Sequence, residues 1–214
     1  MKKNILLFTA LSALTCTNAS AVSIAVPNGD FEDRTGSQYA ASQNWITTGG
    51  GYIAAELNSG IFSADADGNA NGTYLFYEDG GQSVSSSALA TIQANTLYTA
   101  TVDVGNPFAS YGQQPSSYMI EILLGGTTVS STEYTNTELG TTSEDSWTTI
   151  STSYASQVAD SGDLTIRLSM GTNEDGNNQY FFDNVTFDAA AVPEPSSVSL
   201  LGLAGLGLIT RRRR

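Results

Sequence analysis

The sequence predicts an all-β chain, a two-sheet antiparallel β-sandwich, and three observations predict it. Apolar and polar residues alternate over many short stretches, as they do in strands with one face buried. No stretch of residues 22–191 sustains apolar residues at the 3.6-residue spacing of a helix. Glycine, asparagine and serine, which favour turns, punctuate the alternation, and a series of short strands without helices between them closes as a sandwich.

The strands follow in order. Val22–Val26, Gly51–Ala55, Thr73–Glu78 and Gln82–Ala90 are the first four expected. From Leu97 to Gly105, Tyr98, Ala100, Val102 and Val104 are expected on one face and Thr99, Thr101 and Asp103 on the other. From Ser117, Tyr118, Ile120, Ile122 and Leu124 point inward until Gly125-Gly126 supplies the positive φ angles of a hairpin and a return strand follows. Trp147–Tyr154, Asp163–Met170 (Leu164, Ile166, Leu168 and Met170 inward) and Gln179–Phe187 complete about nine or ten strands.

Both ends of the chain read as processing segments. Lys2 and Lys3 precede an apolar run from Ile5 to Leu14, and Ala19-Ser20-Ala21 offers small residues to a leader peptidase. This predicts a signal helix over residues 1–21 cut after Ala21, a domain over 22–191 and a separate C-terminal segment over 192–214. A lipoprotein leader at Cys16 is the competing reading, with Ala13-Leu14-Thr15 a poor match to the small-residue box it needs. With cleavage after Ala21, Cys16, the only cysteine, leaves with the leader, so no disulfide can form afterwards.

Composition removes several chemistries. The chain has no histidine, which excludes Ser-His-Asp and Cys-His nucleophile systems, His or Cys zinc sites and haem ligation by histidine. Of eight basic residues, only Arg34 and Arg167 lie in 22–191, against twenty acids, a formal charge of −18. Such a field repels nucleic acid, favours cations and keeps an exported protein soluble.

The C-terminal segment has three parts. Pro193 and Pro195 break any helix or strand. The uncharged run from Ser196 to Thr210 would reach roughly 22 Å as a helix, short of a ~30 Å hydrocarbon core. Arg211, Arg212, Arg213 and Arg214 would hold the cytoplasmic side. Pro193-Glu194-Pro195, the uncharged run and the arginines together resemble the PEP-CTERM sorting signal of Gram-negative bacteria. That resemblance implies a short transmembrane helix, transient residence in the inner membrane through residues 196–210, cleavage by an exosortase near the Pro-Glu-Pro motif, and delivery to the cell surface or an exopolysaccharide matrix such as a biofilm.

A second resemblance lies at the ends of the domain. "PNGDFED" from Pro27, with Trp45 soon after, and "YFFDNVTF" from Tyr180 are similar to the paired terminal motifs of galactose-binding-like jelly rolls, the fold of many carbohydrate-binding modules. The resemblance implies adjacent terminal strands, a structural Ca²⁺ between them, and Glu32 and Asp183 as its side-chain ligands, calcium needing only oxygen donors. The opposing reading makes Phe31, Phe182 and Val185 core and leaves the acids in solvent. "DADGNANG", from Asp65 to Gly72, begins like a calcium loop but has Ala70 and Phe76 where an EF-hand needs Gly and Glu, so it reads as a tight turn. Thr172 to Gln179 reads the same way.

No enzyme is expected. Adjacent acids such as Glu144-Asp145 point to opposite faces of a strand, whereas glycosidases set two carboxyls about 5–10 Å apart across one cleft. Glycan binding is the sharper expectation, through stacking on Trp45, Trp147, Tyr111 or Tyr118, although each tryptophan also suits the core. The alternative is an acidic matrix protein without a discrete ligand.

Overall fold

The computed structural model describes residues 20–33, 43–48, 61–69, 72–73, 75–78, 83–108, 117–135, 138, 144–171 and 179–192. Residues 1–19 of the expected leader, Tyr111, the expected strand Gly51–Ala55, residues 172–178 and everything from Pro193 onward lie outside these. Among the described residues there is no helix, and eleven strands form two antiparallel sheets.

The first sheet runs β1 (Val22–Ile24), β11 (Gln179–Ala191), β6 (Thr96–Asn106), β9 (Ser146–Ala155). β3 (Leu75–Glu78) also pairs with β11. The second runs β2 (Trp45–Thr48), β4 (Ser83–Ser86), β10 (Asp163–Met170), β7 (Ser117–Leu124), β8 (Thr127–Thr135), with β5 (Ala90–Thr91) beside β10. The terminal strands are neighbours, with Val22 opposite Ala189.

The predicted alternation sets the core. Tyr98, Ala100, Val102 and Val104 of β6 face Ile120 and Ile122 of β7 and Leu164, Ile166 and Leu168 of β10, all buried. Each Val, Ile or Leu among them stabilises the fold by about 1.5–3 kcal/mol on removal from water. Gly125 (φ 57°) and Gly126 (φ 83°) make the hairpin between β7 and β8.

Three features depart from expectation. Trp45–Thr48 forms an edge strand on β4 that alternation did not indicate, because Ile46 faces solvent. Gln82–Ala90 divides into β4 and the start of β5. The face of β7 and β10 turned away from the core is not simply half-buried, since Glu121, Leu123 and Ser169 are enclosed as well. There Arg167 clamps Glu121 with two hydrogen bonds of 2.5 and 2.7 Å. Elsewhere, Tyr134 Oη donates to Ser151 O, and Ser130 Oγ to Ser153 O, joining β8 to β9 across the edge of the sandwich.

Candidate functional site

The two terminal motifs converge. Between Asp183 and Thr186 the pairing of β11 with β6 slips by a bulge, with Asn184 at φ 49°. β1 and β3 share one edge of β11 on either side of this bulge, and the loop after β1 enters the gap: Val185 N–H donates to Gly29 O at 2.8 Å. A Cβ on Gly29 would stand 2.6 Å from Val185 O, so the approach requires glycine. Phe31 holds φ 52°, an outlying conformation for a bulky residue. It is kept there by burial against Trp45, ring centroids 5.2 Å apart, and by Thr73 Oγ1 donating to Phe31 O at 2.7 Å.

Glu32 is exposed, yet its Oε1 accepts Thr73 N–H at 2.7 Å. Asp183 is only 2% exposed, its Oδ2 accepting Ala66 N–H at 3.1 Å and its Oδ1 accepting Asn184 N–H at 2.8 Å. These two candidate ligands are linked through a third segment, the acidic turn at Asp65. Phe31, Phe182 and Val185 are core, as the opposing reading required, but Asp183 is not in solvent.

The acidic stretch is the turn its composition suggested: Asn69 N–H donates to Asp65 Oδ1 at 2.7 Å and Gly68 N–H to Asp65 O at 3.1 Å. It is also more than a turn. Asp65 is 4% exposed, and its Oδ2 occupies the place a Cβ on Gly72 would take, with Glu32 Oε1 3.0 Å from that place. Asn184 Nδ2 donates to Asp67 Oδ1 at 2.9 Å and to Asp103 Oδ2 at 3.3 Å. Asp65 and Asp67 are therefore the site residues that sequence reasoning passed over. Their spacing was visible, but an EF-hand test asks one loop for every ligand, and here the acids come from four segments.

The electrostatics are one-sided. Burial pushes the Asp183 carboxyl up to about 8; the N–H groups of Ala66 and Asn184 oppose that, and the charges of Asp65 and Asp67 add to it. Among the described residues the only ion pair is Arg167–Glu121, on the other sheet. Nor do any three described acidic side chains converge closely enough to form a metal cluster by themselves. Beside the cluster opens a cleft of about 400 Å³ lined by Val26, Asn28, Asp30, Asp33 and Thr186 among others.

The aromatic residues separate. Trp45 is buried and donates Nε1–H to Asn28 O at 3.0 Å. Tyr118 is 1% exposed, its hydroxyl donating to Gly105 O at 2.6 Å and its ring meeting Tyr180 and Phe182 edge-on, so no face is open for stacking on a sugar. Trp147 is half-buried, stacked on Phe62 at 4.7 Å, and donates Nε1–H to Ala64 O. Phe62, Ile61 and Phe181 make a small second core there, which seats the acidic segment on the first sheet.

Comparison with known proteins gives this arrangement a family. A crystal structure of a cyclase from Fischerella sp. TAU is 22% identical, covers 82% of this chain and 100% of its own, and superposes with a TM-score of 0.65. A Stig cyclase of the same organism, in complex with an indole compound, is 21% identical over 81% of this chain and 100% of its own, with a TM-score of 0.60. Carbohydrate-binding modules, the kinship implied by the terminal motifs, stand further off: a xylan-binding domain from Paenibacillus barcinonensis is 14% identical, covers 82% of this chain and 97% of its own, and has a TM-score of 0.46, too remote to argue a ligand from. Among curated proteins none matches. The PEP-CTERM protein-sorting motif matches residues 191–214, which marks the chain for exosortase processing and for export to the surface or exterior of a Gram-negative cell. The family model described as HpiC1 cyclase matches residues 22–188, and the chain belongs to that HpiC1-like family.

Proposed function

We propose that the chain is a calcium-stabilised, non-catalytic surface module that binds a glycan of the extracellular matrix after sorting by an exosortase. The observation that carries the reading is the burial of Asp65 and Asp183 next to one another with no described basic side chain against them. Calcium would supply positive charge there, held by the Asp65 and Asp183 carboxylates and by backbone carbonyls, an oxygen-only donor set that suits it. The cleft beside the cluster has room for one or two sugar rings and offers amide, hydroxyl and carboxylate groups to their hydroxyls. Trp147 is the aromatic residue whose described setting best suits stacking at the surface.

Family membership favours a second reading, in which the same sandwich acts on a small apolar molecule as a cyclase would. One experiment separates the two: the exported chain is applied to a glycan array in calcium and in chelator, and in parallel incubated with indole-bearing small molecules followed by product analysis. Calcium-dependent glycan retention without turnover supports the module. Turnover of an indole substrate overturns it, and retention of neither leaves the acidic matrix protein as the reading.

A further inference from the structure

Among the described residues five large apolar side chains are exposed: Val22 (66%), Ile46, Leu97 (38%), Val158 (78%) and Val192 (45%). Four of them gather at one end of the first sheet. Val22 lies opposite Ala189, Leu97 opposite both Ala190 and Ala155, and Val192 N–H donates to Asn95 O at 2.8 Å. Val158 follows Ser156, whose N–H donates to Thr96 O at 2.9 Å. This is the end at which β11, the central strand of its sheet, leaves the domain.

The sequence places the sorting segment immediately afterwards. Only Pro193, Glu194 and Pro195 separate Val192 from the uncharged run, and no three residues can reach further than roughly 10 Å. A headgroup layer is about 5–7 Å thick on each side of the hydrocarbon. While residues 196–210 reside in the inner membrane, the end of the domain is therefore drawn to the lipid surface.

Charge is distributed to suit that position. β6 runs roughly 33 Å from Thr96 at this end to Asn106 at the other. Asp65, Asp67, Asp103, Glu144, Asp145 and Asp183 lie in its far half or beyond, where an anionic leaflet is screened, since the Debye length is about 8–10 Å. Asp160, Asp163 and Asp188 are the described acids on the near side, and Asp160 accepts hydrogen bonds from Tyr154 Oη and Gln157 N–H.

We infer that the rim of Val22, Leu97, Val158 and Val192 is a lipid-docking surface, which seats the domain on the outer face of the inner membrane and so fixes the height at which the Pro-Glu-Pro motif is offered for cleavage. The inference rests on the sorting reading.

Its test uses the chain from Val22 to Arg214, freed of the leader and so without any cysteine. Leu97→Cys, Val158→Cys and, at the far end, Glu144→Cys are each labelled with nitrobenzoxadiazole and reconstituted in phosphatidylethanolamine/phosphatidylglycerol vesicles. The Leu97 and Val158 probes should shift to the blue and be quenched several-fold more by spin-labelled lipid than the Glu144 probe. Equal quenching at all three positions in chains that float with the vesicles overturns the docking surface while leaving the sorting reading intact. Failure to float overturns both. Protection of the rim only when the membrane-embedded processing enzyme is co-reconstituted overturns lipid docking and gives the surface to that protein.

Discussion

Asp183 of β11 stands directly opposite Asp103 of β6, two carboxylates in a cross-strand position where like charges destabilise a sheet. Asn184 relieves the conflict by donating to Asp103, while the Asp183 carboxyl is pushed up first by its own burial and then by the charges of Asp65 and Asp67. Its pKa is raised in the folded state to about 8, far above that of an unfolded aspartate, so the folded protein binds a proton that the unfolded chain releases. Stability contributed by the protonated form is complete below about pH 4 and lost as pH rises through about 8. In chelator, thermal melts should show a midpoint that falls between pH 5 and 8. Calcium should flatten that dependence, and Asp183→Asn should remove it in chelator while abolishing the calcium-induced rise.

Gly72 tests the acidic cluster from another side. A methyl group there would overlap Asp65 Oδ2 and crowd Glu32 Oε1. Gly72→Ala should therefore displace the Asp65 carboxylate, weaken calcium binding by at least tenfold in isothermal calorimetry, and leave the second sheet unperturbed. Unchanged calcium affinity in a folded Gly72→Ala protein would remove Asp65 from the proposed ligand set.

Sequence periodicity carried most of the fold. Tyr98, Ala100, Val102 and Val104 alternate over a long run, and their strand, β6, lies where the pattern put it. β2 was hidden because four residues give alternation too little length, and its exposed Ile46 and buried Trp45 do not distinguish an edge strand from a loop. Glu32 and Asp183 were named through a resemblance, whereas Asp65 was set aside. The reason is physical: Thr73 N–H reaches Glu32 across 41 residues and Ala66 N–H reaches Asp183 across 117, so the site is assembled by strand pairing and not by local spacing.

Tyr118 offers a clean separation of core from ligand contact. Its hydroxyl is buried on Gly105 O, and Tyr118→Phe leaves that carbonyl without its donor at a cost of about 1–2 kcal/mol. Urea denaturation should show this loss, while glycan affinity stays as it was. Trp147→Ala should behave differently, lowering glycan retention and loosening the segment around Phe62 that it stacks upon.

Arg167 is the described basic residue of the domain, and its Nε and Nη2 are spent on structure. Nε and Nη2 bind the two oxygens of Glu121, and Nη2 also reaches Thr128 Oγ1 at 3.0 Å. Glu121 is 4% exposed, so Arg167→Met would leave a buried carboxylate without its counter-charge, with Thr128 Oγ1 still donating to it. Because the guanidinium side chain is 31% exposed, solvent reduces the cost below that of a fully enclosed pair, to about 1–3 kcal/mol. Glu121→Leu combined with Arg167→Met should recover most of that loss, since both charges then disappear together. Chemical denaturation of the two single variants and the double variant gives the coupling directly. A double variant no more stable than Arg167→Met alone would show that the pair adds no such penalty, and that Arg167 acts there through the packing of its aliphatic stem.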